Sequence, residues 1–356
     1  MRVGINYAWK NYAWDFGAPP KKNSGSAWGA RAAWRQTIDA DLALFDSLGL
    51  FAVRWFLLGD GTMYGTGANK PHMVPPHGPG TGPQWRFDDP PALSSEFLDD
   101  FTALLDCCAA ARIQLLPSLV DFHMAFPGLP VPGSDDIVKS GRADLFVDPH
   151  KRELFMSRVL APLLDVSANY RDTIYAWEII NEPEWCTQPC PPPRPHPTTN
   201  SHPAPPPDPQ KTVPHADMRT FIDRAARLIN GAGFASTVGF AFHCSLRDWD
   251  SPGLGLSLHQ FHYYAEPAAI PRHDFDPRWP IIVGEIATAP HRPWPELPPQ
   301  QDIALRLRHL QDKGYPVTFL WSANREEEHA PPPAAVDFSP ENRDRIRRYT
   351  GTCEGR

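Results

Sequence analysis

The chain lacks any run approaching the roughly 20 apolar residues needed to cross a bilayer. It lacks a basic excess as well: 34 Lys and Arg stand against 41 Asp and Glu, a formal charge of −7. Nucleic acids and anionic membrane surfaces call for basic patches, so neither is expected as a partner. No apolar core of a leader peptide follows the single basic residue of "MRVGINYAW", and a cytoplasmic protein is the expectation. Cysteine is scarce, at six residues. What the chain has in plenty is proline, 43 of 356 residues, more than twice the usual share of about 5%. The prolines gather at 70–85, 126–133, 187–210, 289–299 and 330–333, leaving regular segments between them. With 42% hydrophobic and 21% charged residues, those segments are ordinary globular material able to bury a sizeable core.

Read in order, the segments alternate. Strand candidates fall at 2–9, 51–58, 113–122, 173–180, 236–242, 256–264, 280–287 and 316–323. Helix candidates fall at 34–50, 94–112, 149–170, 215–230, 299–314 and 339–351. In the first helix, Ile38, Leu42, Phe45 and Leu48 recur at helical spacing, with Gly49 as a stop. In the second, Phe97, Phe101, Leu104, Leu105 and Cys108 share a face; Cys107 and Cys108 are adjacent, so at most one is expected to face the core. Eight strands separated mostly by helices predict an α/β fold, a single (β/α)8 TIM barrel over 1–356 with long Pro-rich loops on its C-terminal face. The fifth and sixth connections, 243–255 and 265–279, are too short and proline-broken for full helices. A doubly wound open sheet is the rival. Against it, no G-x-G-x-x-G follows the first strand, and polar residues recur at many strand ends rather than at one switch point.

Those strand ends carry the chemistry. They are Asn6, Tyr7 and Trp9; Arg54 and Trp55; Asp121 and His123; Asn181 and Glu182; His243; His262 and Tyr264; Glu285; Trp321 and Asn324. In a barrel all of them open onto one face, where catalytic groups are set. Glu182 and Glu285 end strands four and seven, and two carboxylates facing each other across a barrel mouth suit glycoside hydrolysis. Glu182, flanked by apolar residues, is expected to stay protonated through desolvation and the nearby charge of Glu285. Glu285 needs cationic and hydrogen-bonding company, for which Arg54 and the Tyr264 hydroxyl are the candidates. Asn181 is placed to donate its amide to a sugar hydroxyl, and Trp321 to stack on a sugar ring. His123 and His262 are counted as substrate-facing, although for a lone histidine a satisfied core position is the commoner case.

The sequence resembles clan A of the glycoside hydrolases, most nearly family 5, the cellulase and mannanase group. The resemblance rests on "WEIINEP" at strand four, "IIVGEIA" at strand seven, "FHYY" at strand six, "VRW" at strand two, "DFH" at strand three and "FLW" at strand eight. It implies a retaining mechanism on β-linked gluco- or manno-configured sugars, with Glu182 as acid/base, Glu285 as nucleophile and carboxyl groups about 5–5.5 Å apart. The long loop after Glu182 is a departure from the family pattern. Transfer to an acceptor other than water shares the covalent intermediate, and a non-catalytic carbohydrate-binding barrel is the alternative from another class. No cofactor is implied, and the strand ends show neither a clear metal-ligand cluster nor a Gly-rich phosphate loop.

Three other carboxylates compete for attention. Glu178 lies inside strand four, where pairing with an arginine is the commoner role; Glu184 is read as a loop residue and Glu266 as a turn residue. Trp9, Trp28, Trp55 and Trp185 are open between packing and sugar contact. The Pro-rich insert, 186–214, holds Cys186, Cys190, His196 and His202, followed by His215. These are zinc-ligand types, but the middle gap is shorter than in finger motifs, and free thiols or a disulfide closing a very short loop are the alternatives. The insert leaves strand four beside Glu182 and is expected to wall the cleft, favouring oligosaccharides or chain ends over long polymers.

Overall fold

Eight parallel strands close on themselves in chain order. They are β1 (Arg2–Asn6), β2 (Ala52–Phe56), β3 (Gln114–Asp121), β4 (Trp177–Asn181), β5 (Ser236–Phe240), β6 (His259–Tyr263), β7 (Ile281–Ala287) and β8 (Val317–Trp321). β8 returns to pair with β1, with Ile5 opposite Leu320, so the sheet has no open edge. The structure is a computed structural model. It describes residues 1–10, 15–17, 31–75, 84–188, 210–264, 269–272, 279–287, 303–323 and 340–353. The fold is the expected (β/α)8 barrel rather than an open sheet.

Around the barrel run α1 (Arg31–Ser47), α2 (Ser95–Ala111), α3 (Asp144–Val147), α4 (Pro149–Phe155), α5 (Ala161–Ser167), α6 (His215–Gly231), α7 (Ser245–Asp248), α8 (Ile303–Asp312) and α9 (Pro340–Cys353). Local chemistry sets their ends. The Ser94 hydroxyl accepts from the Phe97 amide at 3.2 Å to start α2, and Arg112, left-handed at φ 57°, stops it. Asp148 accepts from the His150 amide at 2.8 Å, with Pro149 at the first helical position of α4. A single π turn, Met156–Leu160, joins α4 to α5. The fifth connection is reduced as expected, to α7 and the 3-10 turn Ser251–Leu254. Part of the sixth lies outside the described residues.

Two details differ from the sequence reading. β4 begins at Trp177 rather than Thr173 and runs through Asn181, carrying the amide inside the strand. Cys107 and Cys108 are both buried, because α2 is packed between α1 and α5 as well as against β3. Pro117 is accommodated within β3 at an irregularity: Leu115 lies opposite Ile174, but Ser118 lies opposite Glu178, so β3 and the chain entering β4 lose register between them.

The apolar core has two parts. The larger fills the space between helices and barrel wall. A smaller plug of Ala52, Leu116, Ala176, Leu258, Ile282, Val317 and Phe319 closes the barrel interior. Two residues further along the same strands, and therefore on the same face, come Arg54, Ser118, Glu178 and Gln260, all at 0% exposure. The interior thus changes from apolar to ionic toward the C-terminal ends of the strands.

Candidate active site

Arg54 organises this ionic layer. It grips Glu178 with two bonds, Nε to Oε2 at 2.7 Å and Nη2 to Oε1 at 2.6 Å. It also donates to Asn6 Oδ1 at 2.7 Å, Asn181 Oδ1 at 2.7 Å and Glu285 Oε1 at 2.6 Å. Ser118 and Gln260 complete the shell of Glu178, donating at 2.7 and 2.6 Å. A guanidinium fans five donors in one plane, which is how a single side chain ties strands one, two, four and seven together at the rim. Burial alone would lower its pKa, but Glu178 and Glu285 outweigh that and hold it fully charged.

Room for this network comes from two glycines facing it. A Cβ on Gly284 would stand 2.3 Å from Gln260 Nε2, and one on Gly239 would stand 3.0 Å from both Gln260 Nε2 and His262 Nε2. Those positions admit no side chain without displacing the polar layer.

Glu285 lies within β7 near its C-terminal end and receives three groups. Arg54 holds Oε1, the Tyr264 hydroxyl donates to Oε2, and His262 Nδ1 lies 3.5 Å from Oε1. Glu182 follows β4 with a left-handed backbone, φ 45° and ψ 55°, a conformation unfavourable for a side chain with Cβ. That turn swings the chain into the short 3-10 segment Pro183–Trp185, and the Glu182 amide donates to Gly239 O at 2.6 Å. Its carboxyl then meets His262 Nδ1 through Oε1 at 2.7 Å and the Trp185 indole N–H through Oε2 at 2.8 Å. Carboxylate oxygens of Glu182 and Glu285 and a ring nitrogen of His262 all lie within 4.8 Å of one another. Such a trio has metal-ligand chemistry, yet the Arg54 guanidinium already supplies positive charge against Glu285 there.

Burial dominates the ionisation. It raises Glu182 to about 7, helped by the charge of Asp121 and opposed by the Trp185 hydrogen bond and by Arg54. Burial raises Glu285 too, with His262 and Arg54 drawing it down, Glu182 pushing it up and the Tyr264 hydroxyl drawing it down. His262 falls to about 4 through burial and is neutral at neutral pH. Burial, then the charge of Glu285, keeps the Tyr264 phenol protonated and therefore a donor. Gln260 Nε2 points an amide toward His262 Nε2 at 3.5 Å, which favours the tautomer with its proton on Nδ1, facing the two glutamates.

Arg54, Asn181, Glu182, His262, Tyr264 and Glu285 are therefore brought together at one end of the barrel. Arg54 holds both Glu178 and Glu285, the two pairings the sequence allowed for it. Asn181 is more engaged than expected: its Nδ2 donates to Asp121 Oδ2 at 2.7 Å while its Oδ1 accepts from Arg54. His123 stands at the rim, its side chain 43% exposed, and is bonded to Asp121 through Nδ1. Burial would lower its pKa, but Asp121 raises it on balance. Trp321 ends β8 opposite Ala287, half-buried, and no described hydrogen bond links it to the carboxylates. Trp55 proves to be packing, fully buried with its indole N–H on Asp15.

Glu184, expected in the loop, instead turns its carboxyl inward, where Oε1 accepts from the Ala241 amide at 3.0 Å. Cys186 is a buried free thiol directed at Pro183 O at 3.4 Å. Cys190, His196 and His202 lie outside the described residues, as do Glu266, Trp28 and Asn324. His215 opens α6 with its ring 4.3 Å from that of Trp249. Ser118 and Gln260 were missed; the signal available was their polarity two residues beyond the inward apolar Leu116 and Leu258.

Fold and rim together define a class: a closed (β/α)8 barrel with a buried carboxylate pair at the ends of its fourth and seventh strands. Two solved β-mannanases, from the blue mussel Mytilus edulis and from Eisenia fetida, share this fold along the whole chain. Each has a TM-score of 0.64 at 18% identity, and 92% and 91% of their own chains are covered. A GH5_18 protein from Streptomyces cattleya, solved in complex with Manb1-4GlcNAc, matches 99% of this chain and 79% of its own, with a TM-score of 0.59 at 15% identity. Neither a protein-family model nor a curated protein matches the chain. At such identities the likeness is one of fold.

Proposed function

We propose that the protein is a retaining β-glycoside hydrolase of the family 5 kind, acting on β-linked gluco- or manno-configured oligosaccharides. The closeness of the two carboxylates carries the reading: one oxygen of Glu182 and one of Glu285 lie within 4.8 Å of each other, which accords better with the roughly 5–5.5 Å of retaining enzymes than with the roughly 6.5–9.5 Å of inverting ones. The partners divide the roles. Glu285, held by a guanidinium and a phenol, is the nucleophile; Glu182, facing only neutral donors and raised to about 7, is the acid and then the base. Glu285 attacks the anomeric carbon while Glu182 gives its proton to the departing oxygen, and water then reverses the exchange through the same residue. Asn181, fixed by Asp121 and Arg54, keeps one amide hydrogen for a sugar hydroxyl beside the anomeric carbon. The mannan-cleaving neighbours favour manno over gluco configuration.

The test is a panel of aryl β-glycosides and β-1,4-linked manno- and gluco-oligosaccharides, with Glu285→Gln alongside. Turnover by the wild type with release of the β-anomer, at least about 10³-fold lower in the variant, is expected. A wild type silent across the panel, or a fully active variant, overturns the reading.

A further inference from the structure

Glu182 enters a tight turn in a strained backbone conformation. Its amide donates to Gly239 O at 2.6 Å, and its carbonyl accepts from the Trp185 amide at 3.1 Å, closing the 3-10 turn Pro183–Trp185. Between those two bonds its φ and ψ are 45° and 55°. A residue with a Cβ stays in that region only when its surroundings hold it there. In a 3-10 turn three residues complete one revolution, so successive side chains splay about 120° apart. Pro183 is buried. Trp185 points outward, 42% exposed, and gives its indole N–H to Glu182 Oε2 at 2.8 Å. Glu184 takes the remaining direction, inward.

There its carboxyl meets the corner between β5 and α7. Oε1 accepts from the Ala241 amide at 3.0 Å, and the hydroxyl of Ser245, a buried residue opening α7, hydrogen-bonds the same carboxyl. The Lys211 ammonium donates to the Glu184 carbonyl oxygen and steadies the turn from its other side. A glutamate buried only to fill space costs more than an apolar residue of the same size, and the chemistry assigned to Glu182 and Glu285 makes no direct use of it.

We propose that Glu184 is a positioning residue for the acid: its inward carboxyl fixes the rotation of the Pro183–Trp185 turn and thereby aims the Glu182 carboxyl at the departing oxygen. This rests on the reading of Glu182 and Glu285 as acid/base and nucleophile. Without the tie to Ala241 and Ser245 the turn is free to rotate, and the Trp185 N–H and the Glu182 backbone rotate with it. Glu285 stays where it is, because β7, Arg54 and Tyr264 hold it independently of the turn. The damage therefore falls on proton delivery and not on nucleophilic attack. Burial raises Glu184 to about 7, so below that pH the tie is made by a neutral group, which glutamine reproduces.

The experiment compares wild type, Glu184→Ala and Glu184→Gln below pH about 7 on two aryl β-glycosides of the same sugar. Dinitrophenolate leaves without a proton, whereas phenolate needs one. Glu184→Ala is expected to lose at least about tenfold more kcat/KM on the phenyl than on the dinitrophenyl glycoside, as a misaimed acid requires. Glu184→Gln is expected to restore the phenyl substrate to within about threefold of wild type. A residue that merely supports the fold would lower both substrates alike. Equal losses on the two, no loss on either, or a glutamine variant as selective in its loss as the alanine one would overturn the positioning role. Should Glu184→Ala fail to melt as a folded protein, Ser245→Ala, which removes only the hydroxyl partner, decides by the same comparison. A wild type that turns over neither glycoside, nor any oligosaccharide, refutes the hydrolase reading itself, which separates the two failures.

Discussion

Arg54 is a single buried cation set against two buried carboxylates, Glu178 and Glu285, and that imbalance governs the site. A further negative charge on Glu182 has no cation of its own to meet, which agrees with its rise to about 7. Removing the guanidinium leaves two carboxylates buried without their partner. Arg54→Met is therefore expected to lose about 3–5 kcal/mol of stability, read from urea unfolding; a loss under about 1 kcal/mol would show that the pairing is dispensable. Under the proposed mechanism the same ionisation sets the pH dependence of activity. In the proposed role of acid, Glu182 must be protonated, so kcat/KM is expected to fall as pH rises through about 7. Glu182→Ala, assayed on a substrate whose leaving group needs no proton, should lack that limb; an unchanged limb would assign it to another group. At this scale the sequence was informative wherever a polar residue stood at a strand end, as with Glu182, Tyr264 and Glu285. It was weaker for Ser118 and Gln260, whose polarity is visible but whose direction depends on strand register, and for Trp185, because an indole that caps a carboxyl oxygen looks in sequence like any packing aromatic.

Among the elements, the turn Pro183–Trp185 is the most loaded. It redirects the chain from β4, carries Trp185, and is anchored to the end of β5 through the Glu184 carboxyl on the Ala241 amide. Burial raises Glu184 to about 7, against the hydrogen bonds from Ser245 and Ala241. A carboxyl whose folded pKa lies above its ordinary 4.5 binds its proton more tightly folded than unfolded. Its stabilising contribution is complete below pH about 4.5 and is lost as pH rises through about 7. Glu184→Gln keeps the acceptor for Ala241 and removes the charge, so it is expected to be more stable than wild type above pH 7 by about 1–3 kcal/mol, with the gap closing toward pH 4. Urea midpoints across pH measure this, and a pH-independent gap would show that the carboxyl titrates normally. Sequence reading took Glu184 for a loop residue because a proline before it and a proline-rich run after it imply an exposed segment. Helices and strands were easier to read, since periodicity and Ser, Asp and Pro caps mark them locally. The start of β4 was not, because "TIY" is as β-prone as the strand it precedes.

Across the whole molecule, closure is what makes the site possible, because Glu285 on β7 and Glu182 on β4 meet only if the sheet bends back on itself. The closing seam is β8 against β1, and it joins the last fifth of the chain to its first residues. Asn6 fastens that seam from within, its Nδ2 donating to Gly284 O at 2.9 Å and Leu320 O at 3.2 Å. From outside, α9 packs on β1, and Thr350 Oγ1 donates to Leu48 O at 2.7 Å, just beyond the end of α1. A ring of strands in which each depends on both neighbours has no part that can leave without opening two seams, so we propose that the chain unfolds as one unit. Unfolding followed by tryptophan fluorescence, reporting on Trp55 and Trp177 in the wall, and by far-UV circular dichroism, reporting on the helices, should give coincident transitions. Removing residues 340–356 takes α9 from the seam, uncovers Ile346 and Tyr349 contacts made with the rest of the barrel, and should abolish the cooperative transition rather than merely lower its midpoint. A truncated chain that still melts sharply, or two probes that disagree in the full chain, would mean that the barrel is held in separable parts and that closure alone does not fix the distance between the two glutamates.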